Sequence, residues 1–262
     1  MSNDRNCCHL GSAAPESYEP LGNFETVNGT LPIYSSFPPA ALQPRGILVH
    51  LPDGFGHAKH NLMLADKYAG DGWHTVTADY LLGDSLPVKM LDRKHVKSDG
   101  SDEELERARN FDVPQWLQRH PQQQIEELLQ GLIDKLRSDH PDQPLFAVGY
   151  CLGGKYAIRL AKWAVNAAAI FHPSYLTAED AEGIHVPLYA GLADKDSTIP
   201  DPEAFEWDLR GWLEKAKVDY TLKSYPDVDH GYASRPNPYD AHAAEQFAEA
   251  YHDATHFFQK YT

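Results

Sequence analysis

The sequence predicts an α/β protein with a mostly parallel central sheet and helices on both faces. Two observations carry this. Short, largely apolar runs recur at 46–51 (GILVHL), 73–78, 145–148, 167–171, 187–191 and 220–225. Runs of that length without polar alternation mark strands covered on both sides. Helical stretches lie between them, and strands alternating with amphipathic helices give a parallel sheet. A chain of 262 residues suits one large α/β domain, expected here over 21–262 behind an irregular arm at 1–20 rich in Pro, Ser, Gly and Asn.

Taken in order, residues 26–37 (TVNGTLPIYSSF) place an Asn-Gly pair between short apolar stretches, which predicts a hairpin. The first helix follows the 46–51 strand and carries Leu62, Leu64 and Tyr68. Residues 84–120 break the rhythm. They are highly charged and read as an excursion over the carboxyl edge of the sheet, either a solvated insertion or a cover for an active site. The helix at 121–137 sets Ile125, Leu128, Leu129, Leu132, Ile133 and Leu136 at the spacing of one buried face, with Pro121 in its first turn. Another, at 203–217, aligns Phe205, Leu209, Trp212 and Leu213 and ends in lysines, which the helix dipole favours. The last helix spans about 239–261.

Composition excludes several classes. Lys plus Arg number 23 against 38 Asp plus Glu, a net charge of −15. Such a surface repels nucleic acid and anionic membranes. The three cysteines, with Cys7 and Cys8 adjacent, do not form a disulfide framework. The first residues show no signal-peptide pattern, and no apolar run reaches the length of a membrane helix. A cytoplasmic protein is expected. The exposed sheet edge and the arm could support a homodimer, which nothing in the sequence selects.

The sharpest motif is Gly149-Tyr150-Cys151-Leu152-Gly153-Gly154, placed between the strand LFAV and the helix KYAIRLAKWA. This is the strand–turn–helix setting of a nucleophile elbow, with Cys in the nucleophile slot. The helix N-terminus favours the reactive thiolate. An acid and then a histidine should follow on later loops. Asp194 in GLAD and His230 in PDVDHGY do so, with Asp196 a close rival for the acid and Asp227 and Asp229 less suitably placed. The oxyanion donors are expected to be the N–H groups of Leu152 and of Gly54 in LPDGFG. Aromatic candidates for the acyl pocket are Phe55 and Tyr150, with Tyr80, Phe111, Trp116, Tyr175 and Tyr232 beside them.

On GYCLGGKYA, HLPDGFG, the GLAD loop and HGYASR before a helix ending in HFF, the chain resembles the dienelactone hydrolase (carboxymethylenebutenolidase-like) family of the α/β-hydrolase fold. The resemblance implies a Cys-Asp-His triad cleaving a small-molecule ester or lactone through an acyl-thioester, with no cofactor. It also implies that Asp53 occupies the place of the family's activating acid, one carbon shorter than the usual Glu, and that Arg235 serves as the carboxylate-binding arginine after the histidine. Gly83 stands near the place where bacterial members carry a second arginine, so the chain is more similar to the eukaryotic branch with its diverse substrates.

Rival readings stay weaker. Gly149 to Lys155 also fits the start of a phosphate-binding loop, but Tyr156 replaces the Ser or Thr that would hold Mg²⁺. His57 and His60 with Asp53, or Cys7, Cys8 and His9, lack the ligands to complete a metal site. A binding module without catalysis would use the same fold, and a thioesterase would use the same triad.

Overall fold

The computed structural model describes residues 14–15, 17–91, 103–237 and 239–262. Cys7 and Cys8, most of the arm and the middle of the charged excursion lie outside the described residues. The hairpin forms as expected: β1 (Asn23–Val27) and β2 (Leu31–Ser36) pair antiparallel, and Asn28 and Gly29 turn at φ 53° and 68°. Positive φ at two successive residues matches the twist of the flanking strands, which is why Asn-Gly suits this turn.

From there the chain runs β3 (Ile47–Leu51), α1 (Lys59–Gly70), β4 (His74–Ala78), the excursion with α2 (Glu103–Arg109) and α3 (Val113–Arg119), α4 (Gln122–Asp139), β5 (Leu145–Tyr150), α5 (Leu152–Leu160), β6 (Ala167–Phe171), α6 (Ala178–Ala181), β7 (Leu188–Ala193), α7 (Pro202–Ala216), β8 (Tyr220–Tyr225) and α8 (Ala241–Phe258). Among the described residues, eight strands form one sheet in the order β1-β2-β4-β3-β5-β6-β7-β8. β1, β2 and β4 pair antiparallel, and every pairing from β4 through β3 to β8 is parallel.

Two apolar layers cover the sheet. One gathers Ile125, Leu129 and Ile133 of α4, Ile158 of α5 and Leu209 and Leu213 of α7. The other gathers Leu64 and Tyr68 of α1 with Ala250, Phe257 and Phe258 of α8. The 121–137 periodicity is borne out: Leu132 and Ile133 are fully buried, each contributing about 1.5–3 kcal/mol. Pro121 caps that helix rather than opening it. Its fixed φ of −64° with an extended ψ suits the residue just before the first turn.

Strand order reverses between β3 and β5. The chain leaves β3 to build β4 on one side, then returns to build β5 on the other. In open α/β sheets the crevice beyond such a reversal is where ligands bind. The loop after β3 and the turn after β5 flank it.

Candidate active site

Cys151 alone joins β5 to α5, at φ 54° and ψ −120°. L-residues avoid this region, and holding one there costs of the order of 1–3 kcal/mol. Two glycines make the bend feasible. A Cβ on Gly149 would lie 2.3 Å from the Gly153 carbonyl oxygen, and a Cβ on Gly153 would lie 2.0 Å from that of Leu51. The Cys151 N–H is anchored to Phe171 O at 3.1 Å, tying the bend to the end of β6.

Cys151 is buried, at 8% exposure. Its hydroxyl neighbour is Ser174, in the loop after β6: Ser174 Oγ lies 3.3 Å from Cys151 Sγ and 3.5 Å from His230 Nε2. His230, in the loop between β8 and α8, turns Nδ1 to Asp196 at 2.9 Å from Oδ2 and 3.1 Å from Oδ1. Burial by itself would lower the imidazole pKa. The Asp196 carboxylate and the Cys151 sulfur outweigh it and hold His230 well above its ordinary value. Burial likewise works against an ionised Asp196, but His230 and Thr198 keep its pKa below the usual carboxylate value. Thr198 contributes both its hydroxyl, at 2.6 Å, and its N–H, at 3.0 Å.

The expectation for Asp194 is corrected here. β7 continues to Ala193, paired with Tyr225 of β8. Asp194 therefore still sits at the strand mouth, exposed, with its carboxylate accepting from Val228 N at 3.3 Å. The turn that follows brings Asp196, not Asp194, inward to the histidine.

Asp53 is completely buried, and its partners are not the sulfur. It accepts from Arg235 Nη1 at 2.5 Å, Asn61 Nδ2 at 2.8 Å, His60 Nε2 at 3.1 Å and Ser234 Oγ at 3.4 Å. Burial would raise its pKa, yet His60 and Arg235 hold it well below the carboxylate range. Arg235, expected to await a substrate carboxylate, is 2% exposed and committed to this ion pair, with its guanidinium 5.3 Å over the Phe55 ring. A short carboxylate enclosed by a guanidinium and an imidazole has its lone pairs filled locally, which accounts for both departures.

The N–H groups of Gly54 and Leu152 have no hydrogen-bond partner among the described residues. Leu152 opens α5, so its amide is one of the orphan donors of a helix start. Gly54 is covered by the excursion: a Cβ there would lie 2.6 Å from Leu86 Cδ1 and 3.3 Å from Trp116 Cη2. Trp116 is held by its indole N–H to Asp84 O at 2.5 Å, and Phe111 packs on it at 6.1 Å. Of the two readings of 84–120, these contacts favour the cover.

Other sequence candidates separate. Phe55 shares the apolar cluster of Cys151 and also packs edge-on against His60. Tyr80 joins it; burial first, with Cys151 and Asp53 nearby, holds its phenol pKa well above the ordinary value. Tyr150 does not line the sulfur side. Adjacent strand residues face opposite ways, so Tyr150 enters the α1/α8 layer and meets Tyr68 Oη at 2.8 Å. Tyr175 is exposed, and Tyr232 is buried against Tyr225. Lys155, the lysine of the phosphate-loop reading, reaches instead to Tyr175 O at 3.3 Å and Asp180 at 3.5 Å. His57 bonds Thr77 O at 3.1 Å, and no group of three or more His, Cys, Asp or Glu among the described residues could hold a metal.

Sequence reasoning missed Ser174 and His172. Both follow β6 in FHPS, and the carboxyl end of a parallel strand is where such residues should be sought. His172 is fully buried at φ 36°, edge-on to His230 at 4.8 Å between centroids. Burial, with His230 and Arg235 nearby, pushes its pKa well below the ordinary value, so His230 is the imidazole of the pair that takes up charge.

This geometry is matched by sequence comparison: the family model described as "Dienelactone hydrolase family" fits residues 31–262. The chain belongs to the dienelactone hydrolase family. It is similar to Hydrolase tropI of Talaromyces stipitatus, 26% identical over 98% of this chain and 96% of that protein. It is also similar to Hydrolase pyvD of Aspergillus violaceofuscus, 29% identical over 87% and 85%. Among solved structures, a candidate dienelactone hydrolase from Klebsiella pneumoniae subsp. pneumoniae superposes with a TM-score of 0.70 at 18% identity, over 92% of this chain and 99% of that one. The family and these folds agree with the mostly parallel α/β-hydrolase architecture expected from the sequence. No helix among the described residues is long and apolar enough to cross a membrane.

Proposed function

We propose that this family member hydrolyses a carboxylic ester or lactone with Cys151 as nucleophile. The observation that carries the reading is the line Cys151–Ser174–His230–Asp196 at the strand-order reversal. His230 takes the thiol proton, directly or through the Ser174 hydroxyl, and the sulfur adds to the carbonyl carbon. The oxyanion is received by the Leu152 and Gly54 N–H groups. Collapse expels the alkoxide, which takes its proton from the imidazolium, leaving an acyl-thioester on Cys151. Water then attacks the thioester, His230 accepts its proton, and the acid leaves as the thiol is restored. Asp196 fixes the His230 tautomer with the proton on Nδ1 and steadies the imidazolium.

With Arg235 held by Asp53, the reading does not require a carboxylate on the substrate, and neutral lactones and aryl esters are the first choices. A free thiol persists best in a reducing compartment, and we propose the cytosol on that ground. The test is rapid quenching during turnover of an aryl ester, followed by intact and peptide mass spectrometry. An acyl adduct on the peptide holding Cys151 is expected. Near-native turnover in Cys151→Ala would sink the reading.

A further inference from the structure

We propose, resting on the assignment of Cys151 and His230 to the chemistry, that His172 is a positioning residue whose ring walls in His230 so that it meets Asp196 and Ser174 together. The His230 ring is held unevenly by its nitrogens. Nδ1 meets Asp196 at 2.9 Å and Thr198 Oγ1 at 3.3 Å, whereas Nε2 meets Ser174 Oγ at the longer distance of 3.5 Å. A ring held firmly at one nitrogen can still swing the other. The His172 ring packs against it, 4.8 Å between centroids and 67° between planes. Without that neighbour, Nε2 would have room to turn away from the sulfur.

The segment that carries His172 is fixed to both partners. Phe171 O accepts from the Cys151 N–H at 3.1 Å, and the Ser174 N–H donates to Cys151 O at 3.0 Å. The His172 N–H donates to Gly191 O at 2.8 Å, which ties the segment to β7 as well. The His172 ring meets the histidine turn twice, at His230 and, 5.6 Å between centroids, at Tyr232. Residues 171–174 therefore set the separation of sulfur and imidazole, the backbone holding one and the His172 ring the other. Neither nitrogen of that ring has a hydrogen-bond partner in another described residue, although the side chain is fully buried. Unmet buried nitrogens are costly, so the ring is kept for its shape and contact and not for bonding. Histidine suits the place better than phenylalanine because the backbone stands at φ 36°, where histidine is among the enriched side chains. Burial, with His230 and Arg235 nearby, holds the His172 pKa well below its ordinary value. The wall thus stays uncharged while His230 becomes an imidazolium.

The experiment follows 4-nitrophenyl acetate hydrolysis by the native enzyme, His172→Asn, His172→Phe and His230→Ala, with melting curves to show which variants are folded. Asparagine tolerates the same φ and removes the ring, whereas phenylalanine keeps a ring. His172→Asn should lose about 10–10²-fold in kcat with KM held within about threefold, the pattern of a base misplaced by about 1 Å. His172→Phe should keep kcat within about fivefold of native, even where it melts lower. His172→Gly, which also accepts positive φ, replaces the asparagine variant if that one does not fold. A near-native kcat in the folded variant without a ring, a loss in His172→Phe as large as in His172→Asn, or a change confined to KM overturns the proposal. Near-native turnover in His230→Ala would instead overturn the assignment beneath it.

Discussion

Asp196 Oδ2 lies 2.9 Å from His230 Nδ1, whereas Asp194, two residues earlier, faces solvent. The two carboxylates are therefore expected to behave differently. Asp196→Asn should lower kcat by about 10²–10⁴-fold, because an amide neither fixes the tautomer nor balances the imidazolium. Asp194→Asn should stay within a few-fold of the native rate. Steady-state kinetics on one ester, with both variants side by side, decides between them.

Ser174 stands between sulfur and imidazole. If its hydroxyl relays the proton, Ser174→Ala should slow both ester turnover and alkylation of Cys151 by roughly tenfold, the worth of a hydrogen bond to a charged group. A purely structural serine would leave the alkylation rate and its pH profile unchanged. Stopped-flow labelling across pH 5–9 is the measurement.

The Asp53–Arg235 pair is enclosed, with side chains 0% and 1% exposed. Asp53→Ala would strand the guanidinium in the interior. A loss of about 3–5 kcal/mol is expected in urea unfolding. The double variant Asp53→Ala/Arg235→Met should recover a large part of it, because the uncompensated charge is gone. A double variant no more stable than the single one would contradict this account.

His50 is completely buried on β3, and burial lowers its pKa from 6.5 to about 3. The unfolded chain binds a proton there below about pH 6.5, and the folded chain does not until about pH 3. The unfolded state thus holds more protons in that window, and stability must fall as pH falls through it. The slope is about 1.4 kcal/mol per pH unit for this group. His50→Gln should flatten the stability curve between pH 6 and 4, even if it is less stable at pH 7. Parallel denaturation curves would show it.

How much could be read without coordinates follows from what each feature depends on. The parallel sheet was legible because its inner strands β3, β5, β6 and β7 are buried on both faces and carry that in their composition. The elbow was legible because Gly149 and Gly153 are demanded by contacts of 2.3 and 2.0 Å within one short stretch. The acid was not, since it turns on whether β7 stops before or after Ala193, a matter of pairing with Tyr225. Tyr150 was misplaced by a single pleat: it borders the sulfur in sequence and faces the opposite layer in space. The fate of Asp53 depends on a partner 182 positions away, which no local pattern encodes.

The excursion that begins at Asp84 meets the loop after β3 at Gly54 through Leu86 and Trp116, yet it adds no strand to the sheet among the described residues. Its exposed residues can therefore change without disturbing the strand register that places Cys151, His230 and Asp196, while Leu86, Met90, Val113 and Trp116 stay packed in the core. A lineage inheriting this scaffold could reshape the ground in front of Gly54 by rewriting the outer residues of that segment, leaving Cys151, His230 and Asp196 where they were.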